Sequence, residues 1–229
     1  MIDSTVRIER LITSGTFSLD GETFDVDNNV WIVGDDEEVI IIDPAHDAEA
    51  VAAAVGGRKV KAILLTHGHD DHIRAVADTA RAVGDPPIHL NDDDRVLWDM
   101  VYPTTGPDRS IDPGAEYAVA GVHLKALHTP GHSPGSTCFY VSETLRIPQD
   151  VLPGGASASS PVLFSGDTLF QGGPGATGRS YSSFDTIIQS ITETLFELPD
   201  RTVVLTGHGD STTIGAESPN LQDWLDRGH

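Results

Sequence analysis

The sequence predicts a single α/β domain over residues 1–229, and three observations support this. The chain has 229 residues, which is long for one domain and short for two. Apolar runs such as those at 39–42 and 60–65 alternate with Ala-rich segments of helical character. No solenoid repeat and no interdomain linker interrupts this alternation. We therefore expect strands and helices to follow one another within one compact α/β unit.

Turn and capping signals define the first elements. In TFSLDGETFDV, Asp20-Gly21 separates two alternating runs, and Asp-Gly favours a tight hairpin turn. After the buried strand at 39–42, a short helix is predicted with Asp47 as its N-cap and Gly56 as its end. A second helix is predicted from Asp70 onward, ending near residue 84.

The second half of the chain repeats this pattern. The Asp92-Asp93-Asp94 cluster is predicted to begin a helix. Hairpin strands are predicted in EYAVAG and VHLKALH, and another helix is predicted over residues 184–198. Residues 146–161 are rich in Pro, Gly and Ser, which predicts an exposed loop, either an insertion or a lid.

Composition excludes several classes of partner. The 14 basic and 35 acidic residues give a net charge of -21, which repels nucleic-acid backbones and anionic lipid headgroups. No apolar run approaches the roughly 18 to 20 residues that span a bilayer, and the N-terminal stretch MIDSTVRIER lacks a secretory apolar region. The one cysteine, Cys138, has no internal disulfide partner. We expect a cytoplasmic protein without nucleic-acid or membrane partners, whose oligomeric state the sequence leaves open.

Four predicted strands end in His or Asp beside Gly or Ser. They are ILLTHGHDDH, KALHTPGHS, VLFSGDT and VVLTGHG. In α/β folds, binding groups collect in the loops that follow strand ends, so distant segments converge on one edge. His67 and His69 should project on one side of an extended segment, while Asp71 and His72 begin the next helix.

These strand ends supply candidate metal ligands of nitrogen and oxygen type. The set is His67, His69, Asp71, His72, His132, Asp167 and His208. Zn²⁺, Fe²⁺ and Mn²⁺ suit such a set, with Zn²⁺ the ion we expect. Taken singly, His132, Asp167 and His208 are equally consistent with a turn histidine, a helix cap and a strand-end histidine, respectively. The H-x-H-x-D-H pattern after an apolar strand is much more specific, because clustered polar groups without a ligand are costly.

The segments THGHDDH, TPGHSPGS, SGDTLF and TGHGDSTTIGAE resemble the ordered metal motifs of metallo-β-lactamase-fold hydrolases, and most of all the short glyoxalase II-like thioesterases. This resemblance covers nearly the whole chain and implies an αββα four-layer sandwich with a dinuclear site at one edge. It assigns His67, His69 and His132 to a first metal. Asp71, His72 and His208 are assigned to a second, with Asp167 bridging.

The resemblance implies a hydrolase that cleaves a small acyl thioester of a low-molecular-weight thiol. Two divalent ions would supply a bridging hydroxide as nucleophile near neutral pH and polarise the carbonyl. Asp71 is a candidate for moving a proton. The alternatives are a lactonase with the same ligands, a mono-iron persulfide dioxygenase using His67, His132 and Asp167, and a non-catalytic metal-binding protein.

Four further expectations concern residues outside the seven candidate ligands. Arg179, in the Gly-rich loop at 171–183, is a candidate for binding a substrate carboxylate. Asp43, at a strand end, either orients a ligand imidazole or serves a turn, and Asp70 is expected to be a helix-start residue. The remaining histidines are expected to be structural or surface groups, namely His46, His89, His123, His128 and His229.

Overall fold

The computed structural model describes residues 6–228, so residues 1–5 and His229 lie outside the description that follows. Within residues 6–228 the strands form two six-stranded sheets and a two-stranded ribbon. The first sheet has the order β1-β2-β3-β4-β5-β6 and the second β14-β13-β10-β9-β8-β7. The strands are β1 Arg7–Leu19, β2 Glu22–Gly34, β3 Glu38–Ile42, β4 Lys59–Leu64, β5 Ile88–Leu90, β6 Arg109–Ser110, β7 Glu116–Val119, β8 Val122–His128, β9 Thr137–Val141, β10 Val162–Gly166, β11 Leu169–Phe170, β12 Gly173–Pro174, β13 Val203–Thr206 and β14 Thr212–Thr213.

The α-helices lie between these strands. They are α1 Ala48–Val55, α2 Asp70–Ile73, α3 Val76–Ala82, α4 Arg95–Val101, α5 Phe184–Ser190, α6 Ile214–Glu217 and α7 Leu221–Arg227. Asp47 caps α1 by accepting the Ala50 N–H at 2.9 Å, and Gly56 ends it in the left-handed conformation. Both predictions for this helix are confirmed. None of the helices in the described part of the chain is long and apolar enough to cross a bilayer.

Three apolar cores separate four layers. The central core lies between the two sheets and contains Trp31 and Leu64 from the first sheet and Phe139 and Phe164 from the second. A second core packs α1, α3 and α4 on the outer face of the first sheet. A third packs α5 and α7 on the outer face of the second sheet. The predicted α/β class and its helix-sheet-sheet-helix layering are confirmed.

The predicted Asp20-Gly21 hairpin is confirmed and is unusually long. β1 and β2 pair along their full length from Arg7↔Gly34 to Leu19↔Glu22, with Asp20 and Gly21 both at positive φ. β3 pairs only with the 31–34 end of β2. The tip of the hairpin therefore extends beyond the sheet, over the edge at which β3 and β4 end.

The second predicted helix is interrupted. It divides into α2 and α3 because neighbouring groups use the backbone at the junction: the Ala75 N–H donates to the Ala45 carbonyl at 2.8 Å. The Tyr102 hydroxyl donates to the carbonyls of Ile73 and Arg74, at 3.2 and 2.7 Å. Tertiary hydrogen bonds thus replace helical ones where the sequence pattern is continuous.

The prediction that residues 146–161 form an exposed loop is wrong for its first part. Ile147 and Val151 are buried in the central core. The Ile8 N–H donates to the Arg146 carbonyl at 3.0 Å, so the segment covers part of the open edge of β1. Residues 154–159, by contrast, are mainly exposed.

Candidate metal centre

Four strand ends meet at one edge of the sandwich. The segments after β4, β8, β10 and β13 bring together all seven predicted ligand residues. They form three groups whose candidate ligand atoms lie within 4.8 Å of one another. The groups are His67, His69 and His132; His67, His72 and Asp167; and Asp71, His72 and His208.

The first group joins the segment after β4 to the segment after β8. His69 Nδ1 lies 3.0 Å from His132 Nε2, and the rings of His67 and His132 are 4.9 Å apart between centroids. Burial, followed by neighbouring imidazoles, lowers the pKa of His67 well below its ordinary value and that of His69 to about 3. Both rings are therefore neutral at pH 7, which is the form that binds metal.

Asp71, His72 and His208 are called the second group below, and they combine the start of α2 with the segment after β13. Asp71 Oδ2 lies 3.2 Å from His208 Nε2 and 3.5 Å from His72 Nε2. Burial opposes charge on His72, but Asp71 and Asp167 outweigh it and raise the pKa of His72 well above its ordinary value. Burial likewise opposes charge on His208, and Asp167 raises its pKa to about 10. Without metal, this half of the site holds protons.

Asp167 lies between the two groups. One carboxylate oxygen, Oδ1, is 3.4 Å from His72 Nε2, and the other, Oδ2, is 3.3 Å from His208 Nε2 and 3.7 Å from His132 Nε2. Burial raises its pKa, but the charges of His208 and His72 hold the pKa of Asp167 well below its ordinary value. Its ionised carboxylate contacts members of both groups, as a bridging ligand would.

Asp43 orients two of the imidazoles. Its Oδ2 accepts the His72 Nδ1–H at 2.9 Å and the Thr66 hydroxyl at 2.6 Å. The Thr66 hydroxyl oxygen in turn accepts the His67 Nδ1–H at 3.0 Å. Because Nδ1 of each ring is the donor, Nε2 of each neutral ring carries the lone pair. Of the two roles considered for Asp43, the structure shows the orienting one.

Backbone carbonyls orient two further rings in the same way. His132 Nδ1 lies 2.9 Å from the Ala176 carbonyl, and His208 Nδ1 lies 2.8 Å from the Asp27 carbonyl. A carbonyl only accepts, so Nδ1 must carry the proton in both rings. Nε2 of His132 and of His208 therefore faces the cluster as the potential ligand atom.

The buried polar atoms test whether a metal fits these residues. Ten buried side-chain nitrogen and oxygen atoms of the described residues have no hydrogen-bond partner, and three of them lie in this cluster: His67 Nε2, His69 Nε2 and Asp167 Oδ1. Unpaired buried polar atoms are costly and rare, and these three belong to one cluster of imidazoles and carboxylates. This donor set suits Zn²⁺, Fe²⁺ or Mn²⁺. The residues fit bound metal ions.

Sequence reasoning missed two residues beside the second group. Asn28 donates through Nδ2 to Asp71 Oδ2 at 2.9 Å, and its Oδ1 lies 2.8 Å from His46 Nε2. His46 was expected to be a structural or surface group, but it orients the amide that holds Asp71. A side chain at Gly15 would overlap the His46 ring, so Gly15 leaves the space this ring occupies. Nothing in the local sequence pattern indicates this chain of contacts.

Two other predicted residues lie on the hairpin side of the site. Arg179 Nη1 forms an ion pair with Glu22 Oε2 at 2.8 Å, and its guanidinium carbon lies 4.9 Å from the centre of the Phe24 ring. The backbone N–H of Ser18 donates to Asp70 Oδ1 at 3.0 Å. Asp70 begins α2 as predicted, and it also joins the hairpin to the segment that carries His67 and His69.

Comparison with known proteins agrees with this geometry. The sequence profile of the Metallo-beta-lactamase superfamily matches residues 23–144. The chain is 32% identical to a probable metallo-hydrolase, YqgX, of Bacillus subtilis, with 82% of this chain and 88% of the relative covered. It is 32% identical to hydroxyacylglutathione hydrolase GloC of Haemophilus influenzae, with 82% and 89% covered.

A solved structure supports the same relationship. The crystal structure of TTHA1623 in a di-iron-bound form matches with a TM-score of 0.66 and 31% identity, over 84% of this chain and 93% of that chain. The fold, the profile match across more than half of the sequence and the relatives above 30% identity agree. The chain therefore belongs to the metallo-beta-lactamase superfamily.

Proposed function

We propose that this chain is a binuclear metal-dependent hydrolase that cleaves a small acyl thioester of a low-molecular-weight thiol. The observation that carries the proposal is Asp167, whose two carboxylate oxygens contact imidazoles of both ligand groups. The similarity to a hydroxyacylglutathione hydrolase supports a thioester as the substrate. The proposal treats residues 1–229 as one hydrolase domain.

We assign His67, His69 and His132 to the first metal and Asp71, His72 and His208 to the second, with Asp167 shared. When bound, two such ions activate water near neutral pH and stabilise negative charge on a carbonyl oxygen. Zn²⁺ is the proposed ion, with Fe²⁺ and Mn²⁺ as alternatives. This assignment requires no serine or cysteine nucleophile.

The chain's own residues would then hold and move protons. Burial raises the pKa of Asp71, but His72 and the hydrogen bond from His208 outweigh it and hold this pKa below its ordinary range. Asp71 is therefore ionised at neutral pH. A carboxylate with so low a pKa is a weak base, so the proposed role of Asp71 is to pass a proton on at Oδ2, the oxygen that Asn28 holds, rather than to keep it. The Phe17 ring packs edge-on against His69, with 5.2 Å between centroids, and covers one side of this imidazole.

A thiolate leaves with little need for protonation, so a thioester suits a site whose proton carriers are all candidate metal ligands. Arg179 is proposed to assist in binding a carboxylate of the substrate. A small-molecule substrate and a cytoplasmic location complete the proposal. The location is supported by the single cysteine, Cys138, which is fully buried.

The test combines metal content with a panel of substrates. Purified protein should carry close to two transition-metal ions per chain, and it should hydrolyse acyl thioesters faster than lactones. His69→Ala and Asp167→Ala should each lower thioester hydrolysis by at least about 100-fold, because each removes a candidate ligand. His123→Ala is the matched control, since that ring is exposed and contacts Glu143.

Each other outcome identifies a different function. Preferred lactone opening would indicate a lactonase. Oxygen consumption with iron and a persulfide would indicate the dioxygenase. Full thioesterase activity in protein stripped of metal would refute the proposal.

A further inference from the structure

Asp94 is a fully buried carboxylate that belongs to none of the three ligand groups. It follows two exposed acids, Asp92 and Asp93, and directly precedes α4. The sequence predicted all three as a helix-start cluster. Asn91 caps this turn instead, by accepting the Asp93 N–H at 3.0 Å. The Asp94 side chain therefore caps no helix, and it lies buried in the interior.

Three hydrogen bonds connect this carboxylate to two different segments. Oδ2 accepts the Gly68 N–H at 2.8 Å and the Ser133 hydroxyl at 2.7 Å, and Oδ1 accepts the Gly135 N–H at 2.6 Å. Gly68 lies between His67 and His69 in the chain, while Ser133 directly follows His132. Asp94 thus links the two segments that carry the first ligand group.

The packing around Asp94 leaves little freedom. A side-chain carbon at Gly135 would lie 2.8 Å from Asp94 Cγ, and one at Gly68 would lie 3.0 Å from the Asp94 carbonyl and from Leu97 Cβ. Both glycine backbones therefore approach the start of α4 more closely than other residues allow. A buried carboxylate needs such donors, because burial removes the water that would otherwise stabilise its charge.

The second ligand group is held by other partners. Asp43 accepts from His72, Asn28 donates to Asp71, and the Asp27 carbonyl accepts from His208. None of these partners contacts Asp94 among the hydrogen bonds of the described residues. Asp94 therefore contacts only segments of the first group, whereas Asp43 orients one ring in each group, His72 directly and His67 through Thr66.

We propose that Asp94 is a positioning residue for the first metal, which sets the distance between the segment of His67 and His69 and the segment of His132. The inference rests on the proposed metal-binding role of these histidines. All three partners of Asp94 are donors, so Asp94→Asn would place an amide N–H₂ against one of them. The variant keeps the side-chain volume but loses at least one hydrogen bond, because two donors then face each other.

The experiment measures metal binding rather than turnover. Wild type, Asp94→Asn and the control Asp93→Asn are titrated with Co²⁺ against a chelator, and ions per chain and Co²⁺ absorption are recorded. Asp93 is a suitable control because it is the adjacent acid and its side chain is 64% exposed. We expect Asp94→Asn to keep one ion normally and to bind the other about 10- to 100-fold more weakly.

A further variant identifies which ion is affected. His69→Ala removes a first-group ligand, so the ion that it retains defines the absorption of the second group. The ion retained by Asp94→Asn should show the same absorption. Equal weakening of both ions, or none, would overturn the proposal, because a merely structural role would weaken both together or lower only the unfolding temperature of the metal-free protein.

Ser133→Ala keeps the proposal testable if Asp94→Asn does not fold. It removes one of the three donors and leaves the buried carboxylate with two backbone partners, so a smaller loss of affinity for the same ion is expected. Unchanged affinity in Ser133→Ala, with Asp94→Asn unfolded, would refute the proposal. If wild-type protein binds only one ion, the binuclear function fails irrespective of Asp94.

Discussion

Asp43 Oδ2 accepts the Nδ1–H of His72 at 2.9 Å, and both side chains are almost completely buried. The same oxygen reaches His67 through the Thr66 hydroxyl. One carboxylate just past the end of β3 therefore sets the tautomer of an imidazole in each ligand group.

Asp43→Asn should weaken metal binding by about 10- to 100-fold, because an amide is a poorer acceptor than a carboxylate for the His72 proton. Metal affinity measured by competition with a chelator tests this. Asp36→Asn is the control, since the Asp36 side chain is 88% exposed. Wild-type affinity in Asp43→Asn would show that Asp43 does not tune the imidazole.

Gly15→Ala should destabilise the site from the hairpin side. The added methyl group overlaps His46, which must move and release the Asn28 amide that holds Asp71. Such overpacking typically costs about 1–3 kcal/mol, and the change should appear both in the unfolding free energy and in metal affinity.

Gly154→Ala is the matched control for this substitution. No atom lies within 4 Å of a side-chain carbon built at Gly154, so its effect should stay within about 0.5 kcal/mol. If both variants unfold alike and bind metal alike, His46 does not support the site.

The sequence predicts those residues of the site that stand close together in the chain or directly follow a strand. His67, His69, Asp71 and His72 stand within one stretch of six residues that follows a strand, so the spacing alone identifies them. The other three ligand residues were found because each also follows a strand, and strand ends converge in an α/β fold. Their joint use as ligands remains a prediction.

The supporting residues were not predictable in the same way. Asp94 stands in an acidic triplet whose neighbours are exposed, and Asn28 lies inside a strand far from Asp71 in the chain. Their roles depend on which atoms the fold brings within 3 Å of one another. The interruption between α2 and α3 has the same origin, because Tyr102 lies more than twenty residues from the carbonyls that it contacts.

Arg179→Ala should raise the KM for a thioester that carries a free carboxylate about 10-fold more than the KM for its neutral amide, if Arg179 binds that carboxylate. Glu22→Gln provides the opposite change, since it removes the ion-pair partner of Arg179 and should lower the KM for the carboxylate substrate. Steady-state kinetics on the substrate pair measures both. Equal changes on both substrates would show that Arg179 only joins the hairpin to its loop.

Protons and metal should compete at the second ligand group and hardly at all at His67 and His69. Carboxylates raise the pKa values of His72 and His208, the latter to about 10, so this pair holds at least one proton at pH 7 that metal must displace. Burial lowers the pKa values of His67 and His69, so both rings are neutral at pH 7 and release no additional proton when metal binds. The two metal-binding steps should therefore differ in their pH dependence.

Calorimetric titration in buffers of different ionisation enthalpy measures the protons released on metal binding. One ion should bind with release of about one proton or more. For each proton released, its affinity should fall roughly tenfold per pH unit as the pH falls from 8 to 6.

The pH dependence of the unfolding free energy of the metal-free protein gives a complementary measurement. Because the folded-state pKa of His208 lies above its ordinary value of 6.5, the stability that it contributes is complete below pH 6.5 and is lost as the pH rises through about 10. His208→Gln should abolish most of that loss, whereas His123→Gln, which changes an exposed ring, should leave it intact. An identical pH dependence of both metal-binding steps would contradict the division of charge between the two halves of the site.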